Sequence, residues 1–223
     1  MSIYQNQVGI INIDEYDYLQ IAIIGVGSIG SCLAIALNKL GFKNIIIIDD
    51  DKVEKHNPTT QFYFNQNVNQ YKVHALSNYL NGHINHYVTR VKPSHKIKSD
   101  VVFICVDSLK QRKIITKAIL DSYKEFKKPT LIIDGRMHRL MFRVFTVPLN
   151  NQVLLNQYVA GILGKEFRGS CTEKGIIQNV FAVVSVMVEQ FKKTITGEEY
   201  YAVINCDLER YEFIKNALQD GKQ

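Results

Sequence analysis

The stretch QIAIIGVGSIGSCLAIALNKLGFKNIIIIDDDKVEKHNPTTQ, residues 20–61, decides the fold of this chain. Its first apolar run, Ile21–Ile24, is typical of a buried strand and stops at the glycine-rich turn GVGSIG. A helical apolar pattern follows over residues 32–40 and ends at a glycine, a residue type suited to a helix C-terminus. A second strand, residues 45–48, then leads into three consecutive aspartates. The order strand, glycine turn, helix and strand predicts a Rossmann-like unit.

The glycine turn has the spacing of a loop that binds nucleotide phosphates. Gly25 allows a tight turn, Gly27 lets backbone N–H groups approach a phosphate, and Gly30 lets the helix pack close to the strand. Phosphates bound here lie at the positive end of the helix dipole. Asp49 follows about 20 residues later at a strand end, where a carboxylate accepts hydrogen bonds from ribose hydroxyls. A purely structural turn is the alternative, but the strand, helix and acid around the motif favour a nucleotide site.

Three segments together carry a family resemblance: the glycine turn, IIIIDDDKVEKHNPTTQ at residues 45–61, and Tyr71-Lys72-Val73. They resemble the ThiF/MoeB/HesA family of adenylating enzymes, which are relatives of the ubiquitin-activating enzymes. The resemblance covers about residues 4–212 and implies an α/β, Rossmann-like, doubly wound sheet that is mostly parallel, with antiparallel strands added towards the C-terminus. It implies ATP and Mg²⁺ as cofactors. The implied ATP-binding residues are Gly25, Gly27, Gly30, Asp49, Asp51, Asn57, Gln61 and Lys72.

Asp107 follows another continuously apolar strand, residues 101–106. Because ligands bind beyond the carboxyl ends of strands in doubly wound sheets, we expect Asp107 to face the same crevice as Asp49. A structural role is also open, since Asp107 or Ser108 can cap the helix that follows. The resemblance implies that Asp107 is the metal ligand, and a hard carboxylate oxygen suits Mg²⁺ bound with phosphates. Arg112 also fits the family pattern, whereas Ser108 replaces its usual asparagine.

The chain departs from the family at two arginines that contact the triphosphate. Asn6 and Thr60 occupy the matching positions. Arg136, Arg139 and Arg143, in and after the polar sequence DGRMHR, are candidates to replace them. That sequence either lines the crevice or forms a charged hairpin on the surface.

Residues 148–172 show little periodicity and contain three glycines, so we expect a long crossover loop there. The resemblance implies that this loop covers the site that receives the C-terminal tail of a partner protein. Cys171, near its end, is a candidate nucleophile for a thioester or persulfide link. The start of the following helix, predicted over residues 176–193, would lower the pKa of its thiol. A partly buried structural cysteine is the alternative.

The remaining organisation is simple. We expect an N-terminal arm over residues 1–19, a single nucleotide-binding domain over 20–215 and a polar tail over 216–223, with the last dozen residues helical or irregular. The helix at residues 176–193 is apolar nearly all round, which favours burial against a partner and a homodimer.

Composition narrows the class of protein. The net charge is +6, with 46% hydrophobic and 22% charged residues, which is ordinary for a globular protein. The basic residues are not interleaved with aromatics, so a nucleic-acid surface is not expected. Glycines and serines interrupt the most apolar stretch, so we expect a cytoplasmic protein without a membrane helix. The cysteines form no CxxC pair, which argues against a structural zinc site.

The leading prediction is ATP-dependent adenylation of the C-terminal carboxylate of a small ubiquitin-like protein with a glycine tail. Lys72, Asp107 and Cys171 are the expected catalytic residues. Asn6 and Thr60 favour an alternative, a catalytically impaired subunit of an activating complex, which Lys72 and Asp107 oppose. An NAD-dependent oxidoreductase is less favoured, because hydride transfer does not require an acid at the position of Asp107.

Overall fold

The computed structural model describes residues 4–7, 9–82, 84–163 and 176–217. The strands in these ranges are β1 (Ile21–Ile24), β2 (Ile45–Asp49), β3 (Asn85–Val88), β4 (Val101–Ile104), β5 (Leu131–His138), β6 (Met141–Pro148), β7 (Tyr201–Asp207) and β8 (Glu212–Ala217). The helices are α1 (Ser28–Leu40), α2 (Lys72–Tyr79), α3 (Leu109–Phe126), α4 (Gln152–Leu163) and α5 (Ile177–Thr196). None of the helices in the described ranges combines the length and apolar character that crossing a membrane requires.

All the strands belong to one sheet in the order β3-β2-β1-β4-β5-β6-β7-β8. The pairs from β3 to β5 are parallel, and β6, β7 and β8 join them as antiparallel neighbours. The predicted fold class is therefore confirmed. Residues of β1 and β4 are buried throughout, as expected for continuously apolar strands with helices on both faces.

The strand order reverses direction at β1. Ile24, the last residue of β1, pairs with Ile48 of β2 on one side and with Ile104 of β4 on the other. The carboxyl ends of β2, β1 and β4 therefore adjoin at one edge of the sheet. In open α/β sheets, ligands bind at such a switch point.

Two apolar clusters hold the layers together. On one face, helices α1 and α5 pack against the sheet through Phe42, Phe103 and Phe191, whose rings contact at centroid distances of 5.1 and 5.4 Å. On the other face, α3 and α4 bury Ile115 and Tyr158. Complete burial of one such side chain contributes about 1.5–3 kcal/mol, so these contacts fix the strand ends that carry the site.

The structure differs from the sequence prediction in two segments. Within residues 148–172, α4 occupies Gln152–Leu163. Its buried face repeats at helical spacing through Leu154, Leu155, Tyr158 and Ile162, a periodicity that the prediction of a loop overlooked. Residues 164–172 lie outside the described ranges.

The second difference is at the C-terminus, where a polar helix or tail was expected. The segment Glu212–Ala217 forms β8, in antiparallel register with β7, and crosses the domain boundary expected at residue 215. Its sequence, EFIKNA, lacks a strong strand signal. Pairing with β7 across a short turn supplies the hydrogen bonds that order it.

Candidate functional site

The glycine turn links β1 to α1, and its three glycines have different surroundings. Gly25 has a φ of +89°, and a Cβ added there would lie 2.9 Å from the backbone nitrogen of Val106. A Cβ added at Gly30 would lie 1.9 Å from the carbonyl oxygen of Gly25. Gly27 is the N-cap of α1, and no described heavy atom lies within 4 Å of its added Cβ. The fold therefore requires Gly25 and Gly30, whereas Gly27 leaves open space where the helix N-terminus can meet an anion.

Asp49 ties the end of β2 to this turn. Its Oδ2 accepts a hydrogen bond of 2.8 Å from the backbone N–H of Val26, and its Oδ1 accepts one of 2.8 Å from Asp51. Burial raises the pKa of the carboxyl group above its usual value, although the charge of Lys72 and the two hydrogen bonds oppose that rise. An ionised carboxylate has about four lone-pair sites, so Asp49 can also accept ribose hydroxyls.

Lys72 is the first residue of α2 and is only 7% exposed. Its Nζ lies 2.9 Å from Oδ2 of Asp51, and its backbone N–H donates to the Asp51 carbonyl at 3.0 Å. The structure therefore brings Lys72 and Asp51 together beside Asp49. An ammonium group has three donors, so Lys72 can bind a phosphate while it retains Asp51.

The polar segment after β2 packs on the glycine turn. Ser28, the first residue of α1, donates a side-chain hydrogen bond of 3.2 Å to Oγ1 of Thr60. The hydroxyl of Tyr63 donates to the carbonyl of Val26 at 2.6 Å. Position 60, where the family pattern has an arginine, therefore lies at the N-terminus of α1.

Asn57 and Gln61 have different surroundings in this segment. Asn57 is 4% exposed, and its Oδ1 accepts a hydrogen bond of 2.8 Å from the backbone of Glu54, so it shapes the loop. The side-chain oxygen of Gln61 is buried and makes no hydrogen bond with the described residues. Gln61 borders an open groove of about 390 Å³ whose other walls include Phe64 and Phe181.

Asp107 lies at an exposed position in the turn after β4. The capping role considered for it belongs to Ser108, whose Oγ accepts the N–H of Gln111 at 3.3 Å. Burial lowers the pKa of the Arg112 guanidinium to about 10. The carboxylate of Asp107 lies close enough to act on this pKa in the opposite direction. Asp107 therefore interacts with the start of α3 through Arg112 and is not its N-cap.

Arg112 anchors this turn from inside the protein. It is 5% exposed and donates hydrogen bonds to the Val106 carbonyl, to the Asp134 carboxylate and, at 3.1 Å, to the Gly135 carbonyl. The turn after β4 is thereby joined to β5. Its guanidinium keeps its charge at neutral pH, because a pKa of about 10 leaves it protonated.

Asp134, the buried centre of this network, is not among the site residues predicted from the sequence. Asp134 is fully buried, and its Oδ2 accepts hydrogen bonds from Arg136 at 2.7 and 3.0 Å and from the Tyr158 hydroxyl at 3.0 Å. The only sequence signal was an aspartate inside an apolar strand. Its partners come from α3, β5 and α4, and the spacing of residues along the chain does not bring them together. The sequence DGRMHR continues β5 into a hairpin with β6, and its first residues are buried rather than on the surface.

The three parts of the predicted crevice follow adjacent strands. Asp49 comes one residue after Ile48, the glycine turn begins after Ile24, and Asp107 comes three residues after Ile104. Neighbouring strands are about 4.8 Å apart, so the ends of β2 and β4 are separated by roughly 10 Å, with the glycine turn between them.

The structure describes three of the four cysteines. Cys171 lies outside the described residues. Cys32, Cys105 and Cys206 are buried, as expected for core residues, and burial raises the pKa of Cys32 to about 11 and that of Cys105 to about 12. Burial therefore favours the protonated form of these thiols at neutral pH, and the protonated thiol is a poor nucleophile.

The chain is similar in sequence to enzymes named for activating a ubiquitin-like modifier. Ubiquitin-like modifier-activating enzyme 5 of Culex quinquefasciatus and that of Aedes aegypti are each 29% identical over 130 residues. Each match covers 48% of this chain and 33% of the relative, so the chain aligns with about a third of these proteins.

Two solved structures show the same fold. PaaA superimposes with a TM-score of 0.71 at 16% identity, over 96% of this chain and 78% of PaaA. Escherichia coli MccB, crystallised with ATP, gives a TM-score of 0.69 at 13% identity, over 92% of this chain and 65% of MccB. The ThiF family itself matches residues 4–219, which is nearly the whole chain. This chain therefore belongs to the ThiF family.

Proposed function

We propose that this protein uses ATP to adenylate the C-terminal carboxylate of a small ubiquitin-like protein with a glycine tail. The observation that carries the proposal is the open space at Gly27, at the start of α1, between the strand ends that bear Asp49 and Asp107. The family, and relatives named for activating ubiquitin-like modifiers, support it.

In this proposal the nucleotide lies along the carboxyl edge of the sheet. Asp49 accepts the ribose hydroxyls, and the backbone N–H groups at the start of α1 bind the phosphates. Lys72, already fixed beside the aspartates that follow β2, contributes positive charge. The exposed carboxylate of Asp107 fits Mg²⁺, which binds through one or two carboxylates together with substrate phosphates.

The acceptor carboxylate attacks the α-phosphorus, the bond to the β-phosphate oxygen breaks, and an acyl-adenylate and pyrophosphate result. The site has to hold two anions together and stabilise the charge that moves onto pyrophosphate. Mg²⁺ supplies positive charge for this purpose when bound. Lys72 and the N-terminus of α1 are the parts of this chain that serve the same end.

A homodimer is part of the proposal. Phe64 is 54% and Phe181 is 53% exposed, and both border the groove beside the start of α5. A second copy of the chain would remove this apolar surface from water. Oxidoreductase activity is not favoured, since hydride transfer does not require an acid at the position of Asp107.

The second candidate function is that of a subunit that binds nucleotide while the chemistry occurs on another chain. The observation in its favour is Thr60, which brings no charge to the N-terminus of α1. ATP–pyrophosphate exchange separates the two functions. Loss of one stabilising contact typically slows the chemical step by about 10²–10³-fold.

The experiment measures exchange with candidate ubiquitin-like proteins for the wild type, Asp107→Ala and the surface control Asp121→Ala. We expect exchange in the wild type and the control, and its loss in Asp107→Ala. ATP binding without exchange in any sample would support the subunit function instead. Preferential binding of NAD would contradict both.

A further inference from the structure

Two arginines face each other on the β5–β6 hairpin. Arg136 of β5 and Arg143 of β6 are directly opposite in the antiparallel register, so their side chains emerge on the same face of the sheet. Both guanidinium carbons lie over the ring of Phe145, at 4.6 and 5.8 Å from its centroid. Like charges in directly opposite positions destabilise a sheet, so this arrangement needs a compensating interaction.

The carboxylates near this pair do not fully balance its charge. Asp134 is the carboxylate that Arg136 contacts, and the same carboxylate already neutralises the buried Arg112. The side chain of Arg143 hydrogen-bonds to the neutral amide of Asn205. With the nearby carboxylate of Asp107 included, three guanidinium groups and two carboxylates leave one positive charge in this cluster, counted over the described residues.

Stacking on Phe145 accounts for only part of the arrangement. A guanidinium within about 6 Å of a ring is attracted to its face, and this holds for either arginine alone. It does not explain why two of them converge on the same ring. Arg136 is 24% exposed and Arg143 is exposed, so both can still meet a ligand.

The pair lies beside the proposed nucleotide crevice. Asp134 pairs with Ile104, the last residue of β4, and Arg136 follows two residues later. Arg136 therefore extends beyond the carboxyl end of β4, on the strand next to the turn that carries Asp107. Arg112 joins the two elements by contacting both Val106 and Asp134.

We propose that Arg136 and Arg143 form an oxyanion subsite at the β5–β6 side of the crevice, which binds a phosphate or carboxylate group of the reactants. The planar guanidinium fork matches both of these anions. The setting rests on the adenylation function proposed above, in which the polyphosphate and the acceptor tail are the two sources of such a group. The subsite supplies positive charge that Asn6 and Thr60 do not.

The test uses binding, which does not require turnover. The probes are inorganic pyrophosphate and a synthetic peptide that ends in Gly-Gly, as the free acid and as the C-terminal amide. Arg143→Gln removes the exposed guanidinium without touching Asp134. Arg136→Lys keeps the charge that Asp134 needs but loses the planar fork. Lys124→Gln removes one charge from the far end of α3 and is the control.

We expect Arg143→Gln to raise the dissociation constant of one probe by about tenfold, the loss of a single hydrogen bond to a charged group. Arg136→Lys also raises the dissociation constant of that probe. Lys124→Gln changes the dissociation constant by less than about twofold, because the charge it removes is exposed and far from the site. Weaker pyrophosphate binding assigns the subsite to the polyphosphate. A smaller preference for the free acid over the amide assigns it to the acceptor carboxylate.

Two results would overturn the subsite. One is unchanged binding of both probes by the arginine variants, and the other is a wild type that binds neither pyrophosphate nor the free acid. Arginine-dependent binding by a protein that lacks ATP–pyrophosphate exchange would support the subsite and remove the adenylation function. The two proposals therefore fail separately.

Discussion

Alanine substitutions at Gly27 and Gly30 should separate the binding role of the glycine turn from its structural role. The added methyl group at Gly30 would lie 1.9 Å from the carbonyl oxygen of Gly25. Ordinary contact begins at 3.4 Å, so α1 and the turn would have to separate by 1.5 Å, the difference between these distances. Because the obstacle is backbone, we expect destabilisation at the upper end of the overpacking range, about 3 kcal/mol.

The same methyl group at Gly27 meets no described atom within 4 Å and enters the space assigned to a phosphate. The free energy of unfolding should change by less than about 1 kcal/mol, the scale of changes at helix caps. Loss of one hydrogen bond from a backbone N–H to a charged phosphate costs about 1.5–3 kcal/mol, so the dissociation constant of ATP should rise by roughly 10- to 100-fold.

Thermal unfolding and titration calorimetry with ATP measure the two effects. Gly30→Ala should lower the melting temperature by about 6–12 °C, and Gly27→Ala by a few degrees at most. The wild type unfolded and refolded alongside the variants shows whether the transition is reversible. If Gly27→Ala binds ATP as tightly as the wild type, the phosphates do not lie at the start of α1, and the reasoning is refuted.

Three further predictions concern Thr60, Asp49 and the cysteines. Thr60→Arg places a guanidinium beside Ser28, so the dissociation constant of ATP should fall about tenfold in calorimetric titrations. An unchanged dissociation constant would mean that position 60 does not face the phosphates. Because burial raises the pKa of Asp49, its ionised form is present above that pKa and lost as the pH falls through it. The ratio of ATP affinities in wild type and Asp49→Asn should therefore shrink towards acidic pH, beginning above the usual aspartate pKa; a ratio that is constant from neutral pH down to the usual aspartate pKa would contradict this role. Fast labelling of the native protein by a thiol reagent should disappear in Cys171→Ser. Persistent labelling of this variant would show that one of the buried thiols reacts instead, and these are Cys32, Cys105 and Cys206.

Local sequence patterns were sufficient to predict the fold around the glycine turn. Continuous apolar runs predicted β1 and β4, and the aspartates after β2 marked its carboxyl end. The contact of Asp49 with Val26 agrees with those patterns, because both residues follow adjacent strands of one strand–turn–helix–strand unit. The choice between Asp107 and Ser108 as the helix cap needed coordinates, since both residue types cap helices.

The part of the site formed by distant segments could not be predicted. Arg112, Asp134 and Tyr158 lie on three different elements and at least 22 residues apart in the chain. Their contacts depend on how α3 and α4 pack on the sheet. The opposition of Arg136 and Arg143 depends on the register of the hairpin, which a single-residue shift would abolish.

The central claim is that the crevice holds ATP with Mg²⁺ between Asp49 and Asp107. The most direct test is the affinity for ATP, with and without Mg²⁺, of the wild type, Asp49→Asn and Asp107→Asn. We predict that Asp49→Asn weakens ATP binding under both conditions, whereas Asp107→Asn removes only the gain in affinity that Mg²⁺ produces in the wild type. A full Mg²⁺-dependent gain in Asp107→Asn, or unchanged affinity in Asp49→Asn, would contradict the claim.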